Sequence, residues 1–195
     1  MKDTTKQALL KALFEATFVV FGVVLALLAN NWWTHRSDLA RADAALASIV
    51  AELEGNRDAL VASSEYHGQV IQTIQASQAP GAEPVTAANF EGGFIQPAKL
   101  LDTAWTAAAE TDALRHLDFE VVKLCSSAYA DAHYYKEQLV LASGPLYRDL
   151  YEIGAREIPV QKPHSIFALA ASFYYQEQQL IASFSQTIDE LRALD

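Results

Sequence analysis

Side chains that could bind a metal ion or transfer protons are scattered along this sequence. Asp112 and His116 are four residues apart and would share one face of a helix, which provides two ligands where a zinc site needs three or four. An enzyme would need a buried pocket that joined this pair to His133. The sequence contains no HExxH, GxSxG or P-loop motif. It therefore predicts no catalytic residue, no metal site and no cofactor.

Two tyrosine-rich stretches resemble each other. ADAHYYKEQLVLAS at 130–143 and AASFYYQEQQLIAS at 170–183 are identical at seven of fourteen positions. We interpret them as two equivalent helices that face each other, although chance similarity between amphipathic helices would give the same pattern. Tyrosine is also common in helical cores when its hydroxyl reaches the surface. The functional alternative is a ligand pocket lined by Tyr134, Tyr135, Gln138, Tyr174, Tyr175 and Gln178.

Composition indicates a helical protein. The chain has 195 residues, of which 51% are hydrophobic and 19% charged, with only 8 Gly and 6 Pro. The net charge of −10 argues against nucleic acid as a partner, because phosphate binding needs a basic face. The single cysteine, Cys125, excludes an internal disulfide and is expected to be a buried small hydrophobic residue.

The N-terminal region predicts a membrane span. Residues 16–35 contain no Asp, Glu, Lys or Arg, a run of 20 residues that is long enough to cross a bilayer. Trp32 and Trp33 follow the apolar part, at the place where aromatic side chains meet lipid headgroups. We predict a short tail over 1–11 and a transmembrane helix over 12–35, with the lipid bilayer as a partner.

Two alternatives to an uncleaved span are a cleaved export signal and a buried core helix. Cleavage after Ala29 would place Leu27 where a small residue is required, which disfavours the signal. At the start of the span Glu15 lies about one turn after Lys11, and we expect these two to pair near the headgroups. A contact of Glu15 with a neighbouring membrane subunit is the alternative.

Charge predicts the orientation of the span. Residues 1–35 carry three basic and two acidic side chains, a balance of +1, whereas residues 36–195 carry 11 basic and 22 acidic ones, a balance of −11. Lysines of the tail outnumber the arginines just after the span. This bias places the tail in the cytoplasm and the C-terminal domain outside, as in the inner membrane of a bacterium with a periplasmic domain.

A leucine repeat continues beyond the span. Apolar positions recur in a heptad pattern, so that one stripe runs along a nearly continuous helix from about residue 6 to residue 77, with 36–77 as stalk and first bundle helix. One interpretation is a homodimer seam, in which Gly22 and Ala26 allow close approach in the membrane and Asn56 fixes the register. The other is an intramolecular core. The stripe consists of Leu39, Ala42, Leu46, Ile49, Leu53, Asn56 and Leu60.

The rest of the chain predicts a loop and further helices. Residues 78–97 contain three prolines and three glycines and are expected to form a loop. Helices are predicted over about 98–116 and 119–157, the second broken or kinked at Gly144-Pro145. After a loop over 158–164, a last helix runs to about residue 193. The predicted fold is all-α. One transmembrane helix continues into a stalk, which is also the first helix of an antiparallel bundle of about four helices. Residues 98–195 provide the remaining helices of this bundle.

Two segments carry a resemblance to known proteins. The first, over 13–60, opens with a Glu-led helix of Val, Gly and Leu, leaves the span at Asn30-x-Trp32 and ends in Leu53-Glu54-x-Asn56. The second, over 100–129, contains Thr103-Ala104-Trp105. Both resemble bacterial single-pass inner-membrane proteins of unknown function. The resemblance implies an all-helical extracytoplasmic domain on one anchor, and no known activity.

These observations favour a protein that functions by binding. The predicted function is a non-catalytic interaction or scaffold protein, or an accessory subunit of a membrane complex, whose partner is another membrane or periplasmic protein or a second copy of the chain. A periplasmic ligand-sensing bundle is the alternative, although the short tail leaves no cytoplasmic output domain. A membrane-anchored enzyme is a third hypothesis.

Overall fold

The structure is a computed structural model that describes the backbone of residues 2–194 and the side chains of residues 14–194. All regular elements in this part of the chain are helical, so the all-α prediction is confirmed. In chain order the helices are α1 (Lys2–Ser77), α2 (Thr103–Glu110), α3 (Phe119–Glu152), α4 (Ile158–Gln161) and α5 (Pro163–Leu194). Two 3-10 turns, Ala87–Asn89 and Ala113–His116, lie before and after α2.

Helix α1 changes character along its length. Its first described turns, from Phe14 to Trp33, expose every large apolar side chain, and this helix is apolar enough to cross a membrane, with a mean hydropathy of 1.7 and none of that window buried. From Ala42 onward one face is buried, at intervals of three and four residues. The same helix therefore provides the apolar N-terminal segment and the first wall of the folded domain.

Helices α3 and α5 complete the bundle with α1. Helix α5 runs antiparallel to α1, because Arg192 contacts Glu54 near one end while Gln178 donates to Ser64 near the middle. Helix α3 runs antiparallel to α5 and begins at Asp118, whose carboxylate accepts the Glu120 N–H at 2.8 Å. Together with the short α2, these three long helices form the predicted bundle of about four helices.

The buried side chains form two clusters along the bundle axis. The larger cluster lies nearer the N-terminal segment and includes Leu53, Cys125 and Phe184. The smaller one lies at the far end, where Ile74 and Ile166 pack under the connection that follows α1. Most positions of the predicted leucine stripe, among them Leu53, are buried within the chain. The intramolecular interpretation of the stripe is therefore correct for the body of the domain.

The predicted helix over 98–116 is wrong at both ends. Residues 98–102 belong to no helix, α2 covers only Thr103–Glu110, and a 3-10 turn follows after Asp112, which adopts a left-handed φ of 58°. The backbone of residues 98–102 is held by side chains of α1 and α3 that accept and donate its hydrogen bonds. These tertiary contacts outweigh the helix propensity of an alanine-rich segment.

Of the two outcomes predicted at Gly144-Pro145, a kink or a break, the break does not occur, since α3 continues through Pro145 to Glu152. A proline inside a helix removes one backbone hydrogen bond and costs about 3 kcal/mol. Ser143, Leu146 and Asp149 are buried around it and hold the two halves in one helix. The predicted loop over 158–164 also differs, since it contains the short α4, and α5 begins at Pro163.

Candidate functional site

The long connection between α1 and α2, residues 78–102, is here called the strap. Its last part crosses α1, and polar side chains of α1 fasten it. The Asn56 amide accepts the Leu101 N–H and donates to the Leu101 carbonyl, both at 2.7 Å, and Asn56 is only 2% exposed. The interpretation of Asn56 as a dimer register residue is therefore wrong, because both halves of its amide bind its own chain.

A buried polar network lies about two turns beyond Asn56 along α1. It consists of Ser63, His67, Tyr135 and Glu177. His67, Tyr135 and Glu177 have no exposed surface, and Ser63 has 5%. One Glu177 oxygen accepts the Tyr135 hydroxyl at 2.7 Å and contacts the Ser63 hydroxyl at 2.6 Å, while the other accepts from His67 Nδ1 at 2.9 Å. Helices α1, α3 and α5 each contribute to this network.

The network also binds the strap. Gln96 N–H donates to His67 Nε2 at 3.1 Å, Ala98 N–H donates to the Tyr135 hydroxyl at 3.1 Å, and the Gln96 carbonyl lies 2.6 Å from the Ser63 hydroxyl. Because Nε2 accepts, the imidazole is neutral and carries its proton on Nδ1. This arrangement differs from a nucleophilic triad, in which the serine would donate to the imidazole.

Burial shapes the chemistry of Tyr135. Its pKa is raised, first because burial disfavours the phenolate and then because Glu177 lies beside it. The Phe173 ring stacks on His67 at 5.6 Å between centroids and meets Tyr135 edge-on at 6.1 Å. Tyr135 therefore remains a neutral hydrogen-bonding group that joins the strap to Glu177.

Glu52 of α1 anchors the start of α2. Its carboxylate accepts the Tyr129 hydroxyl at 2.6 Å and the Ala104 N–H at 3.0 Å, and also accepts from the Thr103 hydroxyl. Trp105 stacks on Tyr129 at 5.4 Å between centroids. Desolvation alone would raise the pKa of Glu52, but these hydrogen bonds outweigh it and lower the pKa below its ordinary value of 4.5.

Replacing Glu52 by glutamine is expected to lower the free energy of unfolding by about 1–2 kcal/mol at neutral pH, because a neutral amide retains one acceptor in place of a carboxylate. The folded-state pKa lies below 4.5, so the carboxylate stabilises fully above that pH and loses its effect as the pH falls through the folded value. The free energy of unfolding of the variant should therefore fall less between neutral and acidic pH. Urea unfolding in mild detergent at pH 7 and at pH 4 measures both effects.

Glu65→Gln is the matched control, since Glu65 is an exposed glutamate on the same helix. It should leave both unfolding curves within about 0.5 kcal/mol of the original protein. Equal curves for the two glutamine variants would show that Glu52 does not hold α2.

The six residues of the predicted ligand pocket do not meet in one cavity. Tyr135 belongs to the buried network, while Tyr134 and Tyr175 are 59% and 69% exposed. Tyr174 and Gln178 line a shallow groove between α1 and α5, and Gln138 is half-buried. The pocket prediction is wrong because the two tyrosine pairs project from their helices in different directions.

The candidate metal and proton-transfer residues are also separate. His116 Nε2 lies 3.9 Å from Asp38, whereas His133 lies 3.2 Å from Glu137 on the outside of α3. Asp112 is exposed, with Arg115 as its near neighbour. No group of three metal-binding side chains occurs among the described residues.

The predicted membrane-interface residues lie along the exposed part of α1. Glu15 and both tryptophans are exposed, and Arg36 lies 5.6 Å above the Trp32 ring, as a cation at an aromatic belt would. Gly22 and Ala26 are exposed too, with no other segment within 4 Å of Gly22. Lys11, the predicted partner of Glu15, lies outside the described side chains.

An exposed apolar surface lies at the end of the domain farthest from the N-terminal segment. Val140, Leu141, Tyr147 and Tyr151 of α3 are 73%, 70%, 58% and 91% exposed, and we call them the distal patch. At a rise of about 1.5 Å per residue, the nearby end of α1 lies roughly 65 Å beyond the tryptophans. Clusters of exposed apolar side chains of this kind mark interaction sites.

A groove adjoins the distal patch. It has a volume of about 320 Å³ and lies between the strap and the last turns of α3, with Tyr147 on its rim. Phe90 and Phe94 of the strap meet edge-on at 5.4 Å in its wall. The strap therefore contributes directly to the apolar surface at the distal end.

The sequence contained signals for both features. His67 and Ser63 continue the leucine stripe of α1 by seven residues from Leu60 and Asn56, so polar side chains at buried positions could have been expected. The distal patch is marked by a second apolar stripe on α3, opposite the buried one. Glu177 carries no local signal, because its three partners lie 42 to 114 residues away in the sequence.

The fold and this surface define a class of protein, a helical bundle on one long apolar N-terminal helix. No protein-family model, curated protein or solved structure matches the chain.

Proposed function

We propose that this protein is a single-pass membrane protein whose helical domain binds a protein partner through the distal patch. It works as a non-catalytic interaction or scaffold module, either alone or as an accessory subunit of a membrane complex. The observation that carries the proposal is the distal patch itself. Its four apolar side chains are 58% to 91% exposed, and they lie beside an apolar groove.

The geometry of α1 supports this function. The apolar segment and the first wall of the domain belong to one unbroken helix, so the distal patch is held at a distance from the bilayer. The strap is fastened to α1 at Asn56 and His67, which gives the groove a rigid wall. A binding surface on rigid elements is well suited to a partner that is itself held at a defined distance from the bilayer.

The location follows from the charge pattern. The basic tail and the acidic domain favour a bacterial inner membrane, with the N-terminus in the cytoplasm and the domain in the periplasm. The similarity of residues 13–60 and 100–129 to bacterial single-pass membrane proteins of unknown function supports the same location. Ligand sensing has less support, because the tyrosine and glutamine side chains on which it depended lie on different surfaces.

A photoactivatable phenylalanine analogue at position 151 tests this function in intact membranes. Irradiation is expected to produce a covalent protein adduct of defined mass, since Tyr151 is 91% exposed at the proposed contact. The same analogue at position 175 is the control, because Tyr175 is an exposed aromatic side chain on α5 and lies outside the distal patch. The proposal would be refuted if no adduct formed at position 151, or if positions 151 and 175 gave equal amounts of adduct.

A further inference from the structure

The distal patch contains a helix-packing seam. Val140, Gly144, Tyr147 and Tyr151 follow one another at intervals of four, three and four residues on the exposed face of α3. This is the spacing with which two helices pack along their length. The buried positions in the same turns, Ser143 and Leu146, belong to the other side of the helix. The end of α3 therefore has two apolar stripes, of which the bundle uses one.

The centre of the seam leaves room for another helix. A side chain placed on Gly144 would meet no other segment within 4 Å. Glycine at such a position allows two backbones to approach closely, and the tyrosines on one side can then stack across the contact. The seam ends at Glu137 and Glu152, where charge replaces apolar side chains.

We infer that the seam binds the seam of a second copy of this chain, α3 against α3 in parallel and in register. This inference rests on the proposed function, since it names the partner of the same distal patch. If α1 anchors every copy in one membrane in one direction, then two seams stand at equal height and run the same way. A two-fold axis along the membrane normal then places each seam residue opposite its counterpart.

Charge supports a self-contact at this place. The domain over 36–195 has a balance of −11, so most faces of two copies repel each other. Between residues 138 and 151 the charged side chains are Arg148 and Asp149, and Asp149 pairs with Lys162 at 2.7 Å. Contact along the seam therefore brings together none of the excess acidic charge of the domain, and Arg148 is the one uncompensated charge between residues 138 and 151 of each copy.

The small size of the seam has a consequence for stability. Three turns of helix bury less surface than the roughly 1,200 Å² of a standard stable interface. Confinement in one membrane raises the effective concentration of the seams and compensates for the weak contact. The pair should therefore form in membranes and dissociate when the protein is diluted in detergent.

Disulfide cross-linking of the full-length protein in membranes tests the inference. Val140→Cys and Tyr151→Cys are expected to produce a dimer upon mild oxidation, because each position faces its counterpart. The native Cys125 is fully buried, and burial raises its pKa to about 11, so it does not compete. Tyr175→Cys is the matched control and should produce at least tenfold less dimer.

The outcomes separate this inference from the proposed function. Dimer at both seam positions, lost when Tyr147→Asp is added, supports the self-contact. A dimer yield equal to that of Tyr175→Cys overturns it. If the photoadduct at position 151 then has the mass of a different protein, the proposed function stands with another partner. If position 151 forms no adduct either, both proposals fail.

Discussion

Replacing Glu177 by alanine is expected to lower the free energy of unfolding by about 3–5 kcal/mol, the largest effect of any single polar substitution in this domain. The carboxyl group is fully buried and serves as acceptor for Tyr135 and for His67 Nδ1. Its removal leaves those two donors without partners in a site closed to water. It also leaves a cavity, because the side chains of three helices meet there.

Chemical unfolding in mild detergent measures this loss of stability. Limited proteolysis measures how far the strap is loosened from the bundle. Because Gln96 and Ala98 are bound through His67 and Tyr135, we expect the strap to be cleaved sooner in the variant. Glu177→Gln retains the shape and one acceptor and should lose less stability. Glu137→Ala, at an exposed position of α3, is the control, and equal losses for Glu137→Ala and Glu177→Ala would contradict the assigned role.

Deleting residues 14–33 is expected to move the protein from the membrane fraction to the soluble fraction. The segment exposes all its large apolar side chains and has a mean hydropathy of 1.7 in the most apolar window. The described core begins only at Ala42, so the domain should keep its helicity and its cooperative unfolding. Fractionation after a high-salt wash measures the change, and circular dichroism of the soluble form measures the fold.

Exchange of Val23 and Val24 for leucine is the control, since it leaves the segment apolar and should leave the protein in the membrane. In cells whose outer membrane is permeable and whose inner membrane is intact, added protease should digest the domain of the full-length protein. It should spare a tag at the N-terminus. Retention of the shortened, folded protein in the membrane would show that another part of the chain binds the bilayer. Digestion of the N-terminal tag instead would reverse the proposed orientation.

The strap has a structural role that bears on the binding surface. It leaves the end of α1, provides Phe90 and Phe94 to the groove, and returns along α1 to the start of α2. The buried network and Asn56 fasten it at two separate positions along the bundle. Loss of the network at Glu177 should therefore weaken binding at the distal patch as well as stability, although none of its side chains lies in the patch.

Much of the fold was determined by local sequence. The uncharged run over 16–35, the heptad stripe of α1 and the prolines and glycines over 78–97 each act within a few residues. They predicted the long first helix, the exposed apolar segment and the connection after Ser77. The helical class followed in the same way from composition, because alanine and leucine are abundant and glycine and proline are few.

Tertiary structure decided how these elements pack against and bind one another. Residues 98–102 stay outside any helix because Asn56 and Tyr135 bind their backbone groups, and α3 passes through Pro145 because residues before and after the proline are buried. The pocket of six tyrosine and glutamine residues failed for the same reason, since helix rotation in the bundle sets where each side chain points.

The positions of the functional features show the same division. The stripe of α1 includes Asn56, and the same spacing continued beyond Leu60 reaches Ser63 and His67, but the partners of these polar side chains come from the strap, α3 and α5. A buried polar group must find its hydrogen-bond partner wherever the fold brings one, and sequence distance does not limit that choice. The apolar stripe on the outer face of α3 became a surface only because the bundle covers the other face.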